Sequence, residues 1–202
     1  ERGAKSLRTR STTSASPTNI EILVMTRLVA GKGIRSTLSA LALLPDNYSL
    51  TIAGTGPLYG ELIKSVEELG LKNRVNLIGW VSGEARNRLY ENANVYCMPS
   101  RIDSFGMGYI EAMAFGLPVV AYKWGPIPDI VPHRKVGLLV EDRNPQTIAD
   151  TIAELCNSPT RLYMGLSGHQ LVRQTYSTNV VSNQLASVFN SLENNQLSSI
   201  KK

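Results

Sequence analysis

Two basic residues, Arg27 and Lys32, stand five positions apart in a loop that joins an apolar run to a helical pattern. Glycines flank Lys32, and a helix that starts after such a loop offers free N–H groups and a favourable dipole to an anion. An arginine can donate two hydrogen bonds to phosphate oxygens, and a lysine neutralises a further charge. The spacing matches neither the P-loop nor the dinucleotide-binding glycine pattern. A phosphate site and a solvated basic turn are therefore the two interpretations of this loop.

Two acidic residues, Asp103 and Glu111, stand eight positions apart around the start of another helical pattern. Glu111 lies within an otherwise apolar stretch, so its carboxylate needs a polar partner. A carboxylate accepts two hydrogen bonds at once, which suits the vicinal hydroxyls of a ribose. A backbone group or an arginine nearby is the alternative partner. The segment Ser104–Gly108 offers N–H groups that suit a phosphate.

Two further loops carry glycines after apolar runs. Gly54 and Gly56 permit either the close approach of a ligand or a tight turn from strand to helix. The loop that contains Gly79, Trp80 and Val81 has a backbone suited to the edge of a flat base, although Trp80 is equally suited to covering an edge of the sheet.

Short apolar runs alternate with amphipathic segments along most of the chain, which is typical of parallel strands joined by helices. The predicted strands are Ile22–Met25, Tyr48–Ala53, Arg74–Ile78, Val95–Met98, Val119–Tyr122 and Gly137–Val140. The predicted helices are Lys32–Leu44, Leu58–Leu69, Ser82–Glu91, Met107–Phe115, Pro145–Asn157, Arg161–Thr175 and Asn179–Glu193. Six strands in this order predict one doubly wound α/β domain, which binds ligands beyond the carboxyl ends of its strands.

The composition narrows the class of protein. The chain has 202 residues, 43% of them hydrophobic, with a formal net charge of +5 and two cysteines. It holds no apolar run of the length that a membrane span needs and no pattern of a secretory signal, and two cysteines make no disulfide framework. We expect a reducing compartment. The surplus charge favours anionic partners, but no basic stripe interleaved with aromatic residues favours nucleic acid.

Taken in order, the motifs resemble a known family. R-L-x3-K-G, I-A-G-x-G-P, D-S-F-G-x4-E-A-M-A-x-G-x-P-V-V-A and G-x-I-P-D-I-V are similar to the C-terminal half of the retaining glycosyltransferases of the large GT4 family. These enzymes have the two-domain GT-B architecture. The resemblance covers about Ile20 to Tyr176 and implies a Rossmann-like, mainly parallel sheet of about six strands with helices on both faces.

The resemblance also implies roles for individual residues. Arg27 and Lys32 match the residues that bind the donor diphosphate and stabilise charge on the leaving group. Asp103 matches the first acid of the family's E-x7-E motif, which contacts the transferred sugar, and Glu111 matches the second acid, which holds the ribose hydroxyls. Asp103 is one methylene shorter than the usual glutamate.

Two loops complete the implied donor site. Ser104, Phe105, Gly106 and Met107 match the loop whose backbone approaches the sugar and the phosphate, with Ser104 in place of a common glycine. Gly79, Trp80 and Val81 match the region that meets the base.

The implied activity is transfer of a hexosyl group, with retention of configuration, from a nucleoside diphosphate sugar to a glycan or lipid-linked acceptor. The chain has no Asp-x-Asp motif, so no metal and no cofactor are expected. The domain plan is a basic Ser/Thr-rich linker at 1–19, the nucleotide-sugar-binding domain at 20–195 and a tail at 196–202. The acceptor-binding N-terminal domain has no counterpart in the chain, so we expect it to be inactive alone.

Several points stay open at this level. The base of the donor, its sugar and the acceptor are not specified by the motifs. The implied location is the cytoplasm, with contact at the inner face of the membrane left open. A UDP-sugar 2-epimerase, which shares the two-domain architecture, and a non-catalytic nucleotide-binding module are the alternative functions.

Overall fold

The computed structural model describes the backbone of residues 18–200 and the side chains of residues 18–192. Residues 1–17 of the predicted linker at 1–19 lie outside the described residues, as do residues 201–202 of the predicted tail. The described chain forms six strands: β1 Ile20–Met25, β2 Tyr48–Ala53, β3 Val75–Gly79, β4 Val95–Met98, β5 Val119–Tyr122 and β6 Gly137–Val140. Its helices are α1 Ile34–Leu43, α2 Tyr59–Glu68, α3 Gly83–Asn92, α4 Met107–Ala114, α5 Ile127–Ile130, α6 Pro145–Asn157, α7 Arg161–Thr175 and α8 Thr178–Ile200.

The six strands form one sheet in the order β3-β2-β1-β4-β5-β6, and all neighbouring strands are parallel. The order reverses direction between β1 and β4, which is the arrangement of a doubly wound fold. The predicted α/β class, strand number and parallel pairing are therefore confirmed.

Side chains alternate between the two faces of each strand, because successive Cβ atoms in a strand point to opposite sides. Val95 and Cys97 of β4 belong to a core with α1, α2 and α6. Tyr96 and Met98 of the same strand belong to a second core with α3, α4 and α5. Strands β1, β2, β4, β5 and β6 are thus largely buried on both faces, which explains their nearly continuous apolar sequences, whereas Asn76 and Ile78 of the edge strand β3 are exposed.

Two helices near the switch in strand order begin directly after glycines with left-handed backbone. Gly33 has φ 81° and precedes α1, and Gly106 has φ 67° and precedes α4. A Cβ on Gly33 would lie 2.4 Å from the carbonyl oxygen of Pro99, which follows β4. Helix α4 begins directly after Gly106, as predicted. Helix α1 begins after Gly33, two residues later than the predicted start at Lys32.

Other differences from the sequence prediction are local. Strand β3 begins one residue later than predicted, at Val75, and ends one residue later, at Gly79, where its register against β2 shifts between Ile52 and Ala53. The four-residue helix α5 was not predicted, because four residues carry too little periodicity to reveal a helix. Helix α8 continues to Ile200 rather than ending at Glu193.

At the switch point, the loop after β1 leads to a helix on one face of the sheet and the loop after β4 leads to a helix on the other face. In open α/β sheets the crevice between two such loops is the usual place of ligand binding. The loop after β1 contains Arg27 and Lys32, and the loop after β4 contains Asp103. The fold therefore brings the predicted basic and acidic residues to the same edge of the sheet.

Candidate functional site

A cavity of about 210 Å³ lies at the carboxyl ends of β1, β2 and β3. It is lined by residues of the three loops and of helices α3 and α4: Met25, Thr26, Arg27, Ala53, Gly54, Trp80, Val81, Arg86 and Glu111. Five of them are predicted site residues, namely Arg27, Gly54, Trp80, Val81 and Glu111. The cavity thus combines an exposed cation, a carboxylate and an exposed indole.

Backbone contacts between loops form the floor of the cavity. The Thr26 N–H donates to the Ala53 carbonyl at 3.0 Å, and the Gly54 N–H donates to the Gly79 carbonyl at 2.6 Å. Gly54 has φ 140°, and a Cβ there would lie 1.9 Å from the Thr26 carbonyl oxygen. No larger residue fits at this position. Gly54 is needed for the close packing of the loops and also lines the cavity.

Gly56 has a similar packing role outside the cavity lining. A Cβ on Gly56 would lie 2.4 Å from the Leu28 carbonyl oxygen. The Leu28 N–H donates to the Thr55 carbonyl at 2.8 Å. The tight-turn interpretation of Gly56 is therefore supported by its contacts, and its predicted role toward a ligand stays a prediction.

Glu111 has one partner on each carboxylate oxygen, an ion pair on Oε1 and a hydrogen bond on Oε2. Arg86 Nη2 lies 3.1 Å from Glu111 Oε1, and the Tyr90 hydroxyl donates to Glu111 Oε2 at 2.9 Å. The Arg86 guanidinium carbon is 5.8 Å from the centre of the Tyr90 ring, so the cation also contacts the aromatic face. Burial, with the nearby Glu111 carboxylate, raises the pKa of Tyr90 far above its ordinary value, so its hydroxyl stays a donor.

Lys32 and Asp103 form the second acid–base pair of this edge. Lys32 Nζ lies 2.6 Å from Asp103 Oδ1, and the two side chains are only 14% and 12% exposed. Asp103 Oδ2 is buried and has no hydrogen-bond partner among the residues that the structure describes. The pair links the loops after β1 and β4 across the switch point and leaves one acceptor available.

The start of α4 presents backbone and apolar side chains at the same edge. Gly106 gives no side-chain cap to the helix, so within the described chain its first N–H groups have no side-chain acceptor. Phe105 and Met107 are half-exposed on either side of Gly106, and Ser104 is exposed. The Phe105 ring meets Tyr176 edge-on at 6.1 Å. This loop therefore exposes both N–H donors and apolar surface.

The structure brings some predicted residues together and separates others. Arg27 shares a cavity with Glu111, whereas Lys32 pairs with Asp103 outside the lining of that cavity. The arginine considered as an alternative partner of Glu111 is present, and it is Arg86. Sequence reasoning missed Arg86 and Tyr90. Their four-residue spacing on the helix that follows the Trp80 loop places them on one face, and that spacing was the available signal.

The part of the chain that the structure describes holds neither a cluster of metal ligands nor a membrane-spanning helix. No group of three or more His, Cys, Asp or Glu side chains that could hold a metal ion is found in it. The expectation of a reaction without metal stays a prediction. None of its helices has the length and apolarity to cross a membrane.

Among the histidines, His133 Nδ1 accepts the Leu139 N–H at 2.9 Å, a contact that holds its loop against β6.

Comparison with known proteins identifies a family. Residues 8–170 match the family model described as glycosyl transferases group 1. The chain is 30% identical over 176 residues to a GDP-mannose-dependent alpha-(1-6)-phosphatidylinositol monomannoside mannosyltransferase of Mycobacterium tuberculosis, covering 82% of this chain and 46% of that protein. The chain spans about half the length of the curated relatives it matches.

Solved structures share the fold. The structure of Alr3699/HepE from Anabaena in complex with UDP and glucose superposes with a TM-score of 0.79 at 23% identity, covering 93% of this chain and 52% of that one. The C-terminal domain of a group 1 glycosyl transferase, LpcC from Francisella tularensis, has a TM-score of 0.70 at 22% identity and covers 88% of this chain and 94% of that one. The present fold is therefore that of the C-terminal domain of a group 1 glycosyl transferase.

Proposed function

The chain belongs to the group 1 glycosyl transferases, and we propose that it is the donor-binding domain of an enzyme that transfers a hexosyl group with retention of configuration. The donor is a nucleoside diphosphate sugar. The observation that carries the proposal is the cavity at the carboxyl ends of β1 to β3, where Arg27 and Glu111 line the same space. One end of this space suits an anion and the other suits hydroxyl groups.

The nucleoside occupies the part of the cavity between Trp80, Val81 and Glu111. Trp80 is 76% exposed although it is a large aromatic residue, and it leaves an indole face available for stacking. The backbone of Trp80 and Val81 meets the edge of the base. Glu111 accepts hydrogen bonds from the two ribose hydroxyls, as a carboxylate with two oxygens is able to do.

The diphosphate lies between Arg27 and the first turns of α1 and α4. Arg27 is exposed at the cavity, and both helices begin at glycines that contribute no side-chain cap. Free N–H groups and the dipoles of the two helices favour an anion there. Lys32 adds a second positive charge at the start of α1.

The transferred sugar is held beside Lys32 and Asp103. Asp103 Oδ2 is buried without a partner in the described chain, and a sugar hydroxyl supplies the missing hydrogen bond. The N–H groups around Gly106 contact the sugar and the nearer phosphate, with Ser104, Phe105 and Met107 as neighbours.

In the reaction, the bond between the anomeric carbon and the diphosphate oxygen breaks, and its electron pair stays on the diphosphate. The acceptor oxygen forms the new bond on the face that the diphosphate leaves, through an oxocarbenium-like transition state, and the proton of the acceptor hydroxyl passes to the departing diphosphate oxygen. Arg27, Lys32 and the two helix N-termini stabilise the growing negative charge on the leaving group, an electrostatic role that needs prearranged donors.

The acceptor, a glycan or a lipid-linked molecule, binds to an N-terminal domain of the same polypeptide that faces this edge of the sheet. A chain of about half the length of its relatives supports this arrangement. The cavity of about 210 Å³ is also smaller than a complete ligand site of about 300–1,000 Å³. The 202-residue chain then binds the donor and transfers no sugar by itself, and the placement of the whole enzyme at the inner face of the membrane follows from a lipid-linked acceptor.

The test is calorimetric binding of UDP, GDP and ADP to the 202-residue chain, with Glu111→Gln as the site variant and Arg88→Met as the exposed control. The relatives differ in the base that their names print, GDP-mannose for one and UDP for another. We expect one base to bind at least tenfold more tightly, because a base edge left unpaired costs about 1–3 kcal/mol per group. Binding of none of the three, or binding unchanged by Glu111→Gln, contradicts the proposal.

A further inference from the structure

We propose that Arg86 and Tyr90 position the Glu111 carboxylate so that each of its oxygens keeps one acceptor site directed to one hydroxyl of the ribose. This inference rests on the proposed function, in which Glu111 receives the ribose. Arg86 and Tyr90 are called the carboxylate clamp below. Neither residue is among those that the sequence motifs single out.

The two members of the clamp contact different oxygens of the same carboxylate. Arg86 Nη2 lies 3.1 Å from Oε1, and the Tyr90 hydroxyl donates to Oε2 at 2.9 Å. A carboxylate has about four acceptor sites over its two oxygens. The Tyr90 hydroxyl uses one on Oε2 and the Arg86 cation lies beside Oε1, so acceptor sites remain on both oxygens for a pair of vicinal hydroxyls. A single contact on one oxygen would leave the carboxylate plane free to rotate.

The clamp is held through the packing of Tyr90. Tyr90 is fully buried, and its ring stacks on Phe115 with centroids 5.1 Å apart. Arg86 stands one helical turn before Tyr90 and lies over its ring at 5.8 Å. Because α3 carries both donors and α4 carries Glu111, the packing of the two helices sets the position of the carboxylate.

A fixed carboxylate discriminates between ribose and deoxyribose more strongly than a mobile one. Glutamate has several rotatable bonds, and ordering them on binding lowers the affinity gained from the contact. The clamp orders the side chain before the ligand arrives. Arg86 also lines the cavity, so its charge stays beside the bound nucleoside and offsets that of Glu111.

The experiment measures the affinity of the 202-residue chain for the nucleoside diphosphate that binds best and for its 2′-deoxy form. The variants are Arg86→Met, Tyr90→Phe and Glu111→Gln, and Arg88→Met on the exposed side of the same helix is the control. Inorganic pyrophosphate is the second probe, since it lacks the ribose. The melting temperature shows that each variant is folded.

We expect the unchanged chain and Arg88→Met to prefer the ribose form by about tenfold, the worth of one hydrogen bond of about 1.4 kcal/mol. Arg86→Met and Tyr90→Phe each reduce this preference to about threefold or less and leave pyrophosphate binding unchanged. A substitution that only weakened the fold would lower the affinity for the nucleoside diphosphate and for pyrophosphate alike. Tyr90→Phe removes a single oxygen and keeps the ring stack.

The failures are distinguishable. If Glu111→Gln keeps the full preference for ribose, the contact assumed by the proposed function is wrong. If Glu111→Gln loses the preference while Arg86→Met and Tyr90→Phe keep it, the clamp is wrong and the ribose contact stands. If Arg86→Met binds the nucleotide more tightly, Arg86 competes with the ribose for Glu111 and the clamp is likewise wrong.

Discussion

The site contains two acid–base pairs that differ in their surroundings. Lys32 and Asp103 are 14% and 12% exposed, whereas Arg86 and Glu111 are 36% and 31% exposed. The first pair joins two loops that are 71 positions apart in the chain, and the second joins two helices packed on one face of the sheet. A buried pair gains Coulomb energy at the cost of lost hydration, while a half-exposed pair stays hydrated.

This difference separates structural from functional sensitivity. Removing one partner of the more buried pair leaves a charge with little access to water and no counter-charge, so the folded state itself is destabilised. Removing one partner of the half-exposed pair lets water take its place, so the effect falls on the ligand contact rather than on folding. Two pairs of a basic side chain with a carboxylate therefore predict different mutational outcomes within one site.

The largest expected effect is on the buried pair. Lys32→Met leaves Asp103 buried and unpaired, and we expect the free energy of unfolding to fall by about 3 kcal/mol in urea denaturation. The double variant Lys32→Met with Asp103→Leu recovers most of this loss, because no unpaired charge remains. Lys123→Met, which breaks the exposed pair with Glu141, is the control and costs less than about 1 kcal/mol. If Lys32→Met and Lys123→Met lowered the free energy of unfolding equally, burial would not distinguish the Lys32–Asp103 pair from an exposed pair.

The next effect concerns the exposed cation of the cavity. Arg27→Ala should weaken binding of the nucleoside diphosphate by about thirtyfold, or about 2 kcal/mol, since one charge-assisted hydrogen bond to a phosphate is lost. Stability should change little because Arg27 is exposed. Calorimetry with the nucleoside that lacks phosphates serves as the control and should show no change. An equal loss for that nucleoside would place Arg27 at the wrong end of the cavity.

The third effect depends on pH and concerns Tyr90, the buried residue that donates a hydrogen bond to Glu111. Burial raises the pKa of Tyr90 above its ordinary value of 10.0, so its contribution to stability is complete below pH 10 and is lost as the pH rises further. The stability difference between the unchanged chain and Tyr90→Phe should narrow by about 1.4 kcal/mol per pH unit above pH 10. Urea denaturation on both sides of pH 10 measures it. A constant difference would mean that the phenol is not buried as described.

The smallest effect is the stability loss in Arg86→Met. Because the Arg86–Glu111 pair is about one third exposed, we expect a change of no more than about 1 kcal/mol in the free energy of unfolding. The comparison with Lys32→Met in the same denaturation experiment then gives the ratio of the two effects directly. A loss as large as that of Lys32→Met would show that hydration does not distinguish the pairs.

The sequence predicted the fold well because burial on both faces makes most of the strands nearly continuous apolar runs. The predicted bounds of β2, β4, β5 and β6, and those of α6 and α7, agree with the structure. The end of β3 was predicted one residue short, because the pairing of Gly79 with Ala53 follows a register shift against β2 that the local sequence does not encode. Likewise, the left-handed Gly33 that ends the loop before α1 fits closely against Pro99, a residue distant in sequence.

The candidate site was predicted in its composition but not in its pairings. The glycine-flanked cations and the acid in an apolar helix identified Arg27, Lys32 and Glu111 as polar residues in unusual surroundings. The partner of Glu111 depends on how α3 packs on α4, and no local pattern encodes that packing. The buried contact of Lys32 with Asp103 also needs the strand order, in which β4 lies beside β1.

The exposure of Trp80 has an optical consequence. Both tryptophans of the chain stand outside the cores, Trp80 at the mouth of the cavity and Trp124 stacked on Tyr122 at 6.1 Å. Their fluorescence therefore comes from hydrated indoles. In Trp124→Phe the only tryptophan is Trp80, beside the space assigned to the base. A base that stacks on that indole quenches its emission, so the chain carries its own reporter of the nucleoside and needs no attached dye.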